Sequence, residues 1–242
     1  MSYRAIATDY DGTVATDGLL EEETLHALAR WRDAGKQLIL ITGRRLDDFL
    51  EVCPQPDLFD RVVAENGAAL YRPHDQSVQL FGERPPDEFI QQLRDRLQTT
   101  TDSITMQDEF RQLMRDRSVD VAVGRVIVAT WEPHDRVAQQ LIDDMNLDLD
   151  IILNKGAVML LPPGVNKVSG LQATLAELEL EPSTVVGVGD AENDIDFIQA
   201  CGYGVAVANA LPSVKAIAHH VTESARGAGV VELIHHLLSQ SK

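Results

Sequence analysis

The chain has 242 residues, 44% hydrophobic and 24% charged, with a formal net charge of −17. That length suits one large domain or a core plus a smaller insert, and the acidity argues against nucleic acid or an anionic membrane as partner, because both need a basic surface. No apolar run is long enough to span a bilayer, the first strand leaves no room for a cleavable leader, and Cys53 and Cys201 have neither disulfide nor zinc spacing, so a cytoplasmic location is expected.

A short apolar run, Ala5-Ile6-Ala7, leads through Thr8 into Asp9-Tyr10-Asp11-Gly12-Thr13 and reads as a buried strand. Residues 21–34 have helical periodicity in Leu25, Leu28, Ala29 and Trp31, and stop at Gly35, a suitable C-terminal cap. Residues 37–41 form a second apolar run, ending at Thr42-Gly43-Arg44. A helix over 47–52 is closed by Pro54 and Pro56, and a third strand over 61–64 runs into Glu65-Asn66-Gly67-Ala68. This β-α-β-α-β order predicts a parallel sheet with right-handed crossovers.

The text changes between about residue 82 and residue 156, becoming more charged. Helices are expected over 86–97, 106–115 and 133–145, with strands within 119–131 around a turn at Gly124, then over 150–153 and 157–161. After this stretch the first pattern returns. A strand over 183–188 runs into Gly189-Asp190, a helix covers 193–200, strands follow over 204–207 and 220–222, and a final helix covers 229–238. The expected fold is α/β: a Rossmann-like doubly wound parallel sheet formed by residues 1–81 and 158–242, with an inserted smaller α+β domain over 82–157. Hinges are expected near Gly82 and within 156–163.

Asp9 and Asp11, two residues apart, fall on one side of the strand's carboxyl end, where open α/β sheets bind ligands. Two carboxylates so close repel unless a cation or a shared proton relieves them. Three further clusters end or follow core elements: Thr42-Gly43-Arg44; Lys167, after Pro162-Pro163-Gly164; and Gly187-Val188-Gly189-Asp190-Ala191-Glu192-Asn193-Asp194. Loops at the carboxyl ends of neighbouring strands converge on one crevice, so these clusters can meet. Their chemistry suits phosphoryl transfer. Carboxylates and carbonyls are oxygen ligands for Mg²⁺, and the Thr42 hydroxyl and the amides of Gly12 and Gly43 can donate to phosphate oxygens. Lys167 supplies a point charge, while an Asp can serve as nucleophile and a second carboxyl as general acid and base.

Together these residues resemble the haloacid dehalogenase superfamily of phosphohydrolases, whose four motifs appear in order as Asp9/Asp11 with Gly12-Thr13, Thr42, Lys167, and Asp190 with Asn193-Asp194. The insert's position between the second and third motifs resembles the Cof-type subfamily with an α/β cap. The resemblance implies that Asp9 is the nucleophile and a Mg²⁺ ligand. It implies that Asp11 is the general acid and base and binds Mg²⁺ through its backbone carbonyl, with Asp190 and Asp194 as further metal ligands. Thr42 and Lys167 would hold the phosphoryl oxygens, Asn193 would orient the phosphate or the lysine, and Arg44 and Asn66 would lie at the substrate. One departure is that Val168-Ser169-Gly170 follows the lysine, where many relatives have Gly at once. The implied activity is Mg²⁺-dependent hydrolysis of a small phosphate ester, a sugar phosphate or a phosphoglycolate-like acid, by a monomer or homodimer. A phosphosugar mutase and a catalytically silent binding protein on the same fold are the alternatives.

Other features have plainer explanations. A calcium loop would continue with oxygen ligands where Val14 and Ala15 stand. A dinucleotide loop would not place Glu192 at its third glycine or Asp190 beside a pyrophosphate. His219-His220 and His235-His236 lack metal-site spacing. Arg111, Arg115 and Arg117 can reach a phosphorylated substrate from the cap, with exposed charge as the default reading.

Overall fold

The computed structural model describes residues 3–103 and 121–240. Strand β1 (Ala5–Asp9) is buried at all five positions, as a parallel strand covered on both faces must be. Helix α1 (Glu22–Asp33) carries Glu22 and Glu23 in its first turn and Arg30 and Arg32 in its last, the order the helix dipole favours. It buries Thr24, Ala27, Leu28 and Trp31, a stripe at i, i+3, i+4 and i+7. Strand β2 (Gln37–Ile41), helix α2 (Leu46–Val52) and strand β3 (Arg61–Ala64) follow, close to their expected limits. The hairpin of β4 (Ala69–Arg72) and β5 (Ser77–Leu80) was not anticipated; β5 lies at the sheet edge and leaves Leu80 exposed, so no buried-strand pattern marks it.

The inserted region contains α3 (Asp87–Ser103), β6 (Ala122–Val123), β7 (Val128–Trp131), α4 (Asp135–Asp144), β8 (Asp150–Asn154) and β9 (Ala157–Leu161). The expected helix over 106–115 and the three arginines Arg111, Arg115 and Arg117 lie outside the described residues. The chain then forms α5 (Lys167–Glu177), β10 (Val185–Gly189), α6 (Ile195–Ala200), β11 (Tyr203–Ala206), α7 (Pro212–Ile217), β12 (His220–Val221) and α8 (Arg226–Ser239). The strand expected from 183 starts at Val185 because Pro182–Thr184 makes a single 3₁₀ turn.

Eight strands form the larger sheet in the order β12-β11-β10-β1-β2-β3-β4-β5. The first six run parallel, β4 pairs antiparallel with β3, and β5 pairs antiparallel with β4. The chain winds outward from β1 through β2 and β3, then returns to wind the other way from β10. The switch point of this doubly wound fold therefore lies between β1 and β10, whose register pairs Thr8 with Val188.

The smaller sheet is antiparallel, in the order β6-β7-β9-β8. The expected boundary at 157 falls at the first residue of β9, all of which pairs inside this small sheet. Phe89, Leu93, Leu97, Leu141 and Val158 belong to a hydrophobic cluster of its own, separate from the large one around the main sheet. Each fully buried side chain of this size contributes about 1.5–3 kcal/mol, so the insert has a core that supports its own packing. A third cluster, Ala68 with Val126, Ile127, Met159 and Leu161, joins the two units.

Candidate active site

The site is built at the carboxyl ends of the central strands. Asp9 ends β1 and pairs in register with Ile41, the last residue of β2, so Thr42 follows beside it. Asp190 follows Gly189, the end of β10. Lys167 opens α5, whose start is fixed by a capping box in which Asn166 Oδ1 accepts the Ser169 N–H and Ser169 Oγ accepts the Asn166 N–H. Gly67 lets the turn after β3 press against that helix start. Its φ is +112°, and a Cβ there would fall 1.9 Å from the Asn166 carbonyl oxygen. Gly170, two residues beyond the expected position, fills the matching role on α5, where a Cβ would meet Val63 and the backbone of Gly67.

At the centre, Lys167 Nζ donates to Asp9 Oδ1 and to Asp194 Oδ1, each at 2.6 Å, with all three side chains buried. Asp194 Oδ2 accepts the backbone N–H groups of Asp190 and Ala191 at 2.8 and 2.9 Å. Asp194 therefore ties the lysine to the loop that carries Asp190. Asp190 accepts from Lys155 Nζ at 2.7 Å, and more weakly from Asn209 and Thr13 at 3.3 and 3.4 Å.

Burial, and after it the neighbouring Asp194 charge, pushes the Asp9 carboxyl up to about 7, with Lys167 pulling the other way. Burial likewise raises Asp190 against the pull of Lys155. Burial alone would lower Lys167, but Asp194 and Asp9 hold it charged, above the ordinary lysine value. Asp9, Asp190 and Asp194 each offer an oxygen within 4.8 Å of the others. Three buried carboxylates with two ammonium groups among them form an all-oxygen donor set of the kind that hard divalent cations take, so these residues fit a Mg²⁺ ion.

The Asp11 carboxylate is turned away from this cluster. Arg44 holds it through two bonds of 2.6 and 2.7 Å, so Arg44 is engaged with Asp11 at the edge of the site. The Thr42 side chain is buried, and its Oγ1 accepts the Arg44 N–H. Asn193 Nδ2 donates to Asn66 Oδ1 at 2.9 Å, which brings together two of the expected residues from opposite ends of the chain. Among the described residues the buried Asn193 Oδ1 has no partner, an acceptor left over at the site.

A cavity of about 450 Å³ lies over these groups, between the two sheets. Asp9, Asp11, Gly43, Arg44, Lys167, Asp190 and Asn193 line its floor. Gly12, Thr42, Asn66 and Asp194 do not line it; the last three are buried, and Gly12 lies against Asp190 and Lys155. The roof comes from the insert, chiefly Trp131, Asn154, Lys155 and Met159, with the small side chains Ala122, Ala129 and Ala157 leaving space. None of these roof residues was singled out from the sequence. The signal for Lys155 was available in Asn154-Lys155-Gly156, a turn sequence between two strand runs.

Known proteins resemble this chain along nearly its whole length. The family model described as haloacid dehalogenase-like hydrolase matches residues 6–109 and 93–234. A phosphoglycolate phosphatase of Methanothermobacter thermautotrophicus is 31% identical over 235 residues, covering 96% of this chain and 97% of that protein. One of Methanosarcina acetivorans is 29% identical over 241 residues, covering 99% and 98%. The crystal structure of a haloacid dehalogenase-like hydrolase from Bacteroides thetaiotaomicron superposes with a TM-score of 0.75 at 18% identity, covering 98% of this chain and all of that one.

Proposed function

The chain belongs to the haloacid dehalogenase-like hydrolases and is a phosphatase, and from that premise we propose that it hydrolyses a small phosphorylated acid through an aspartyl-phosphate on Asp9. The observation that carries this reading is the buried Asp9–Lys167–Asp194 chain beside Asp190 at the sheet's switch point. Asp9, Asp190 and Asp194, with the backbone carbonyl of Asp11, would hold Mg²⁺. When bound, that ion supplies positive charge against which an anionic nucleophile can approach an anionic phosphoryl group.

The chain's own groups do the rest. Lys167 fixes the Asp9 carboxylate by one oxygen, leaving the other to attack phosphorus in line with the leaving alcohol. As the phosphorus–oxygen bond to the alcohol breaks, Asp11 protonates the departing oxygen. Asp11 then takes a proton from the water that attacks the aspartyl-phosphate, releasing inorganic phosphate and regenerating Asp9. For this the Asp11–Arg44 pair opens, and the freed Arg44 meets the substrate. Thr42, the Gly43 amide and Lys167 hold phosphoryl oxygens, while Asn193 is oriented by Asn66; the Gly12 N–H, expected to share in this, donates instead to the Ala15 carbonyl at 3.2 Å. The insert, spanning about 82–161, acts as a cap that shields the acyl phosphate from bulk water and sizes the substrate.

The relatives named phosphoglycolate phosphatase make 2-phosphoglycolate the first substrate to try. The test is phosphate release from a panel of phosphate monoesters, with Mg²⁺ and with chelator, by the wild type and by Asp9→Asn. Metal-dependent release that disappears in the variant supports the reading. Release surviving in Asp9→Asn overturns it.

A further inference from the structure

We propose that Lys155, at the tip of a cap hairpin, is the specificity-determining residue that reads a carboxylate on the substrate close to its phosphoryl group. This deepens, and rests on, the reading of the site as a phosphatase of small phosphorylated acids.

The hairpin places the residue tightly. Strands β8 and β9 are in register from Asp150–Leu161 to Asn154–Ala157, leaving Lys155 and Gly156 as a two-residue loop. Both have positive φ, +47° and +82°, the geometry of a primed turn that matches strand twist. Lysine is an uncommon residue in that first position. The Glu132 N–H donates to the Gly156 carbonyl at 2.8 Å and holds the tip against β7. The side chain then crosses from the cap to the core, reaching Asp190 at 2.7 Å and passing 3.2 Å from the point a Cβ on Gly12 would occupy.

Charge balance separates this lysine from the other cations on the cavity wall. Arg44 is paired twice with Asp11, Arg45 with Asp48, and Lys167 with Asp9 and Asp194. Among the described residues Lys155 bonds Asp190 alone, and Asp190, like both partners of Lys167, is one of the three carboxylates suited to a divalent cation, so a bound cation competes for its single partner. Its side chain remains 43% exposed towards the cavity, against 2% for Lys167, so it can turn to a ligand. A substrate that brings its own carboxylate would satisfy the ammonium that Asp190 gives up.

Distance sets the size of that substrate. Asp190 belongs to the cluster whose oxygens lie within 4.8 Å of one another and include Asp9, the expected nucleophile. An anionic group bound to Lys155 is therefore only a short span from the phosphorus. A two-carbon acid fits that span, and the carboxylate of a longer chain would project past it.

The experiment compares 2-phosphoglycolate with 2-hydroxyethyl phosphate, which has the same length and no carboxylate. Their kcat/KM ratio is measured for wild type, Lys155→Met and Lys155→Arg. A charge-assisted hydrogen bond lost from the cavity should lower the ratio about tenfold to a hundredfold in Lys155→Met. Lys155→Arg should restore part of it. Titration calorimetry of both esters on the Asp9→Asn background, with and without Lys155→Met, should show the same loss as a ratio of dissociation constants. A ratio unchanged by Lys155→Met, or a wild type without preference for the carboxylate, overturns the assignment of Lys155 and leaves the Asp9 chemistry standing. Release that persists in Asp9→Asn overturns the chemistry instead.

Discussion

Glu65, at the carboxyl end of β3, accepts the backbone N–H of Val126 in the cap at 2.8 Å. The same carboxylate accepts from Arg125 at 2.9 Å and Ile127 at 3.0 Å, so one core side chain satisfies a whole cap turn. Glu65 is fully buried and adopts a left-handed backbone, φ +54°, which costs about 1–3 kcal/mol for a residue with a side chain. The three bonds hold that conformation in place. Glu65→Ala would leave buried N–H groups unpaired, and a loss of about 3 kcal/mol is expected by urea denaturation. Glu65→Gln, which keeps one acceptor oxygen, should lose less. An equal loss in both variants would mean that the contact depends on the full carboxylate, and a Glu65→Gln variant as stable as wild type would mean that it is packing alone.

Lys167 is the one buried cation between Asp9 and Asp194 among the described residues. Lys167→Met leaves two carboxylates facing each other, so kcat/KM should fall at least about a thousandfold. Lys167→Arg should not rescue it, because the pocket is filled and the guanidinium is larger and planar. Steady-state phosphate release checks both variants.

Asp9 follows an unusual pH course. Its carboxyl is held at about 7 in the folded chain, first by burial and then by Asp194, against 3.8 as the ordinary value. Between these values the unfolded chain ionises before the folded one, so the contribution of Asp9 to stability is full below about pH 4 and is lost as pH rises through 7. In chelator the wild type should lose thermal stability across that window. Asp9→Asn should lose less and melt higher at pH 8, while losing its activity. Thermal melts of both proteins at pH 5 and pH 8 test this.

Glu177, on α5, accepts from Arg72 Nε at 2.8 Å and from Arg61 Nε at 2.7 Å, fastening the helix to β4 and β3. The Arg72 bond, foremost, holds its carboxyl below the usual range. That contribution is present above the ordinary carboxylate value of 4.5 and is lost as pH falls through the depressed one. The group is partly exposed, so Glu177→Gln should cost only about 0.5–1 kcal/mol at pH 7. The difference from wild type should narrow in melts at pH 3.

The core of the site was legible because the chemistry stands at strand ends. Asp9, Thr42 and Asp190 each follow an apolar run, and sheet geometry brings such ends together without knowledge of anything else. The placement of Lys167 needed the family's motif order, because a lysine opening a helix has no local mark of burial. Lys155, Trp131 and Glu65 were not legible as a set. Their meeting depends on how the cap lies over the core, which Met159, Leu161, Val126 and Ala68 decide through packing between units distant in sequence. The hairpin of β4 and β5 escaped for a different reason. An edge strand such as Ser77–Leu80 is half wet, and its alternation of apolar and polar residues is too brief to register.

Gly82 and Pro162 touch. With φ at +122°, Gly82 passes so near the proline ring that a Cβ would fall 2.7 Å from its Cγ. The chain thus leaves the core and re-enters it at one point, with some eighty residues between the two crossings. The cap is attached like a cassette in a socket. Its removal would leave two ends already side by side, and a different insert with its own core could occupy the same joint without disturbing the catalytic strands. Strand β1 with Asp9 and strand β10 with Gly189 before Asp190 thus lie outside the segment that this single paired crossing encloses.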